Sequence, residues 1–192
     1  NHTLDHKHRL SDTGPGVARA TAPRLAARGV RCVGTTRSDP GKLADAGVEP
    51  LERLAKVREM FFTGMGDQSF GQKPLTLERQ KELVENSRWT YQNVVFSTVH
   101  VVGSNNGMER NGASVAEYFS RNAANVQWIK DTFAQAKAKN APAVVVAFQA
   151  DLFYGSPVLL TDVGLRDTVT TLATEAKAYG KPVLLIQGDS HT

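Results

Sequence analysis

The 192-residue chain has a single cysteine, Cys32, so no disulfide can form within it. That excludes a cystine-stapled scaffold, and a chain of this length can bury a hydrophobic core large enough to fold without one. Long apolar runs are missing as well: the longest, Ala141 to Phe148, has eight residues and includes Pro142. A membrane-spanning helix needs about 20, so no membrane span is expected. Phe, Tyr and Trp are absent from residues 1–60, which deprives that stretch of the side chains that anchor a core. Glycine-rich phosphate loops are absent too. Gly14-Pro15-Gly16 is not followed by Lys-Ser/Thr, so neither a P-loop nor a dinucleotide fingerprint can be drawn. Ser190 has no glycine two residues on and is not a nucleophile elbow.

Charge of one sign is also scarce. The net charge is +4, and the basic excess lies in residues 1–60, with 11 Lys/Arg against 7 Asp/Glu, while the remainder holds 12 of each. Readers of nucleic acid concentrate basic residues on one stripe and interleave aromatics, so no nucleic-acid partner is expected. The chain opens on Asn1 rather than Met, as expected of a processed product or a fragment.

What is present divides near residue 48. Residues 1–47 form a poorly patterned segment in which a helix over Val17–Arg28, weakened by Pro23, and a short strand over Val30–Gly34 are the readable elements. From Leu51, the positions Leu51, Leu54, Ala55, Val57 and Arg58 lead into Met60, Phe61 and Phe62 as one helical face. Val94 to Val102 reads as a buried strand closed by the loop Gly103-Ser104-Asn105-Asn106-Gly107. A long helix follows from about Val115 to Lys139, with Phe119, Ala123, Val126, Ile129, Phe133 and Ala136 as its apolar stripe. Ala143–Phe148 is the next strand, and Leu165, Val169, Leu172, Ala176 and Tyr179 mark the next helix, stopped by Gly180 and Pro182. Val183–Ile186 is the last strand. The alternation predicts an α/β fold with parallel neighbouring strands covered by helices.

In such sheets ligands gather beyond the carboxyl ends of the strands, which singles out three segments. They are Gly103 to Asn106, Gln149-Ala150-Asp151 and Gly188-Asp189-Ser190-His191. Asp189 and His191 pair a hard oxygen with an imidazole nitrogen, a set suited to Mn, Fe or Zn, although Gly-Asp-Ser-His also reads as a solvated turn. Asp151 is a candidate ligand or general base, or equally a loop cap. Gln149 can position a phosphate or water through its amide. Asn105 and Asn106 offer donors to an oxyanion, and Asn106-Gly107 is also a turn signal. His2, Asp5, His6 and His8 cluster at the N-terminus, where such tracts are commonly unstructured. His100 reads as a hydrogen-bonded core histidine inside its strand.

Five stretches taken in order resemble the bacterial calcineurin-like metallophosphoesterases: Glu49 to Phe62, Val99 to Gly107, Arg121 to Asn125 with Trp128, Val144 to Asp151, and Pro182 to His191. The resemblance covers residues 48–191. It implies the second half of a four-layer αββα sandwich that hydrolyses a small-molecule phosphoester with metal-activated water. On that basis Asp189, His191 and Gln149 would be metal ligands for Mn, Fe or Zn, while Asp151, Asn105 and Asn106 would be catalytic residues beside the substrate. The chain departs from the family at Gln149, where a histidine is usual, and at Asp189, which replaces the first histidine of a Gly-His-x-His loop. The upstream Asp-x-His, Gly-Asp and Gly-Asn-His loops cannot be read in residues 1–47, as a shifted reading frame or altered start would produce. Related chains are often exported, and no signal segment is visible in this one. The rival expectations are a non-catalytic or truncated family member serving as a ligand-binding or interaction domain, and an unrelated flavodoxin-like domain.

Overall fold

The structure is a computed structural model that describes residues 30–36, 50–108, 111–152 and 163–190; for 30–36, 50, 104, 189 and 190 only the backbone path is described. The helix expected over Val17–Arg28 lies outside these residues. One six-stranded sheet organises the described chain. In chain order its elements are β1 (Val30–Thr36), α1 (Pro50–Phe62), β2 (Glu78–Arg79), β3 (Ser87–Tyr91), β4 (Val94–Thr98), α2 (Gly103–Asn106), α3 (Gly112–Ala138), β5 (Val144–Phe148), α4 (Val163–Tyr179) and β6 (Val183–Ser190). The spatial order is β1-β6-β5-β4-β3-β2. β4, β5, β6 and β1 run parallel, whereas β3 and β2 are added antiparallel at the β4 edge.

The parallel centre matches the expected alternation of strands and helices, and the strand expected at Val30–Gly34 is the edge partner of β6, with Val30 opposite Val183. Two differences matter. First, the connections β4–α3–β5 and β5–α4–β6 step in one direction across the sheet, which puts both helices on one face, where they pack against each other. Val95, Val144, Val146, Val183 and Leu185 point to that face and are buried, while the alternate positions Phe96, Val145, Ala147, Leu184 and Ile186 are half-buried. The αββα arrangement would require a second sheet, and the described residues form one. Second, β3 was not foreseen. It joins β4 through Gln92 and Asn93, whose φ values of 46° and 65° make the two-residue turn that matches strand twist. Across this hairpin Trp89 stacks on Phe96 at 5.4 Å between ring centroids.

Strand β4 is also shorter than expected. It ends at Thr98, because Val101 N–H turns back to the Val99 carbonyl (2.8 Å) instead of extending the ladder. His100 therefore sits on a corner beyond the strand rather than within it.

Helix α3 starts where Asn111 accepts a hydrogen bond from Ser114 N–H, a side-chain cap on an otherwise unpaired donor. It ends in a left-handed Asn140 (φ 50°), with Asn140 N–H bonded to the Lys137 carbonyl and Ala141 N–H to that of Ala136. That double closure satisfies the final carbonyls and turns the chain into β5. The C-terminal half of its apolar stripe is as expected, with Ile129, Phe133 and Ala136 buried. The N-terminal half is not: Phe119 is 60% exposed, and Arg121, Asn122 and Asn125 face inward. Arg121 and Asn125 are hydrogen-bonded there and Asn122 Nδ2 donates to Asp167, although Asn122 Oδ1 is buried without a partner. Helix α1 likewise departs from expectation, since Leu51, Val57, Met60 and Phe61 are exposed. Arg58 is bonded to Glu85, and Arg79 lies over the Phe62 ring at 5.1 Å.

Candidate functional site at the strand ends

The carboxyl ends of β4, β5 and β6 meet through backbone and amide hydrogen bonds. Gln149 links all three: its Oε1 accepts from Gly103 N–H at 2.6 Å and its carbonyl accepts from Gly188 N–H at 3.1 Å. Ala150 N–H bonds to the Val101 carbonyl (3.0 Å), which ties the β5 exit to the β4 exit. The approach is close: a Cβ at Gly188 would stand 3.1 Å from the Gln149 carbonyl oxygen, tighter than an ordinary contact. Asp151 Oδ1 accepts from Gln187 Nε2 at 2.5 Å, and Gln187 Oε1 accepts from Leu152 N–H at 3.3 Å. Thus three segments distant in sequence are brought together as the strand-end rule requires.

The two asparagines have a mechanical role in this arrangement. Asn105, Asn106 and Gly107 have φ values of 52°, 57° and 75°, a left-handed run that Asn and Gly adopt most readily. This region, expected as a loop, contains the single helical turn α2. Asn105 Oδ1 accepts from Gly164 N–H (2.7 Å), and Asn106 Nδ2 donates to the Gly164 carbonyl (3.0 Å), so the pair grips the first turn of α4. Asn106 is fully buried, and its Oδ1 accepts from Arg121 Nη1 at 2.5 Å.

Beneath this loop lies a polar network that the sequence did not announce. Arg121, 4% exposed, forms a two-point pair with Glu117 (2.6 and 2.9 Å) and donates to the His100 and Asn106 carbonyls (3.3 and 2.9 Å). Asn125 Nδ2 donates to the His100 carbonyl, and Asn86 Nδ2 donates to Asn125 Oδ1. Asn86 Oδ1 in turn accepts from His100 N–H at 2.6 Å. On the neighbouring side Glu85 receives Arg58 through two nitrogens, Nε at 3.0 Å and Nη2 at 2.5 Å, and pairs with His100 Nδ1. No short motif signals these contacts, because Arg58 and Glu85 are 27 residues apart and Glu85 and His100 are 15 apart.

Burial alone would raise the Glu85 pKa, but the hydrogen bonds from His100 and Arg58 outweigh it and hold the group at about 2 instead of 4.5. A folded-state value below the unfolded one stabilises the protein above pH 4.5, and that contribution disappears as pH falls toward 2. The expected result is a loss of up to about 3 kcal/mol across this window, read as a falling urea midpoint. Glu85→Gln should flatten that part of the profile; an unchanged slope would show that Glu85 is not the group responsible.

Of the residues proposed as metal ligands, Gln149 is engaged by Gly103 N–H, the Asp189 side chain is not described, and His191 lies outside the described residues. Among the described residues no group of three or more His, Cys, Asp or Glu is placed to hold a metal ion. The described residues alone therefore do not make a metal centre, and any such centre would draw on Asp189, His191 or residues outside them. No described helix is long and apolar enough to cross a membrane. No protein-family model, curated protein or solved structure matches the chain.

Proposed function

We propose that this chain is a phosphoesterase-family domain of the calcineurin-like type, with its phosphoester site at the carboxyl ends of β4, β5 and β6. The observation that carries the reading is the junction at Gln149, which brings Gly103, Gly188 and the start of the Asp189–His191 segment to one place. Backbone amides and small residues at strand ends are the chemistry that suits a compact oxygen-rich ligand. In this reading Gln149 ties the strand ends together, Asp151 is a candidate general base, and Asn105 and Asn106 fix the loop after β4 against α4. Asp189 and His191 would supply donors for Mn, Fe or Zn, whose contribution when bound is to polarise a phosphoryl oxygen and acidify water.

A second reading is a family member that binds a ligand or partner without hydrolysing it. Its support is the engagement of Gln149 and Asp151 in hydrogen bonds that lock the strand ends together. Elemental analysis of the tag-free chain, followed by assays on aryl phosphate mono- and diesters with added Mn, separates the two. The hydrolase reading expects stoichiometric metal and turnover, with loss of at least about 100-fold in the Asp189→Ala, His191→Ala double variant. Absence of both metal and turnover favours the non-catalytic reading.

A further inference from the structure

Two Asn-Gly pairs stand close together in the chain, Asn106-Gly107 and Asn111-Gly112. With no Cβ on the glycine, its backbone nitrogen is open to attack the amide carbon of the preceding side chain. The fold treats the two pairs oppositely. Asn106 is fully buried with a left-handed backbone (φ 57°). Its Nδ2 donates to the Gly164 carbonyl (3.0 Å), and its Oδ1 accepts from Arg121 Nη1 (2.5 Å) and Val102 N–H (3.4 Å). That side chain can reach the Gly107 nitrogen only by giving up these bonds together. Asn111 and Gly112, by contrast, are both exposed, and a Cβ at Gly112 would meet nothing within 4 Å. Asn111 has an extended backbone (φ −164°, ψ 176°) ahead of α3, and Gly112 N–H, at the first helical position, has no carbonyl within the helix to bond. Asn111 Oδ1 accepts from Ser114 N–H at 2.9 Å. A donor on that oxygen withdraws electron density from the amide carbon and stabilises the oxyanion that forms when the carbon is attacked.

We propose that Asn111 is a site of spontaneous deamidation in the folded protein, whereas Asn106 is shielded from the same reaction. Hydroxide removes the Gly112 amide proton and the nitrogen attacks Asn111 Cγ. The Cγ–Nδ2 bond then breaks, Nδ2 takes a proton from water, and ammonia leaves a succinimide ring. Water next opens the ring: cleavage at Cγ gives aspartate, and cleavage at the main-chain carbonyl carbon gives isoaspartate. The two products affect α3 differently. Aspartate keeps an acceptor for Ser114 N–H and places a negative charge where a helix start favours it. Isoaspartate carries the main chain through Cγ, so the acceptors of Ser114 N–H and of Val115 N–H, which bonds to the Asn111 carbonyl at 3.0 Å, both move. Exchange at those two amides should therefore be faster in the isoaspartate form.

The test is incubation of the tag-free full chain in mildly alkaline buffer, followed by tryptic mapping in ¹⁸O water, which distinguishes conversion during incubation from conversion during digestion. Cleavage at Arg88, Arg110 and Arg121 puts Asn106 and Asn111 in separate peptides. The Asn111 peptide should gain about one mass unit and resolve into aspartate and isoaspartate forms at least about ten times faster than Asn106 reacts, because Asn106 must wait for its loop to open. In urea, which removes the protecting fold, the two sites should convert at comparable rates. Gly112→Ala should slow conversion at Asn111 and leave Asn106 unchanged, since the added methyl group crowds the attacking nitrogen. An Asn111 that converts in urea but not in the folded chain overturns the proposal. Equal conversion of the two sites in the folded chain does so as well, as does a Gly112→Ala variant that reacts at the parental rate.

Discussion

Gly164→Ala is expected to cost the fold about 3 kcal/mol, the upper part of the range for forcing atoms into a packed site. A Cβ at this position would stand 2.2 Å from the Asn105 carbonyl oxygen and 2.9 Å from its Oδ1. The first contact is with backbone, which cannot swing aside as a flexible side chain can, so either α4 or the Asn105–Asn106 turn must move. Movement of either one disrupts the bonds from Gly164 N–H to Asn105 Oδ1 and from Asn106 Nδ2 to the Gly164 carbonyl. Urea unfolding measures the loss. Gly112→Ala provides the contrast, since a Cβ there meets nothing within 4 Å, and its stability should stay within about 1 kcal/mol of the parent. Equal behaviour of the two variants would refute the tight approach of α4 to the loop.

Arg121→Met should be the most damaging charge removal, at about 3–5 kcal/mol, the range for breaking a buried pair from one side. Methionine keeps much of the side chain's bulk but abandons Glu117, the Asn106 amide oxygen and carbonyl, and the His100 carbonyl together. Adding Glu117→Leu should recover part of the loss, because the orphaned carboxylate is then gone while the abandoned Asn106 and His100 oxygens remain. The double variant would therefore be more stable than Arg121→Met alone, a non-additive result expected of directly bonded partners. Strict additivity would mean that the Glu117 contact contributes nothing. Hydrogen exchange in the double variant should still report faster opening over residues 101–107, since that loop is what Arg121 holds.

These effects bear on function through the same loop. Asn105 and Asn106 had looked like donors to a substrate oxyanion, because two amides followed a strand. In the folded chain their side chains are occupied with Gly164 and Arg121, so they act on the site by fixing the path of Gly103, whose N–H meets Gln149. A site built in this manner depends on rigidity beneath it, and substitutions in the Arg121 network should alter it without touching a ligand.

Sequence alone determined the parallel centre of the sheet. Ala143–Phe148 and Val183–Ile186 are β-branched or aliphatic runs, the second continuing as strand through Ser190 in the fold, and the intervening helices have periodic apolar residues, the second with a clear stop at Gly180. These are local signals, and burial on a sheet reinforces them. The strand-end rule then located the three segments that converge on Gln149. Sequence did not reveal β3, because its turn uses Gln92-Asn93 rather than Asn-Gly, and a five-residue edge strand carries little periodicity of its own. Nor did it reveal that Arg121 and Asn125 face inward on α3, since a polar residue becomes acceptable in a core only when distant partners arrive to bond it. The same reason separates His100 as a strand residue in the sequence from His100 as a corner residue paired with Glu85. Periodicity is a property of neighbours along the chain and can be read from it, whereas hydrogen-bond satisfaction belongs to groups that only the tertiary fold brings within reach.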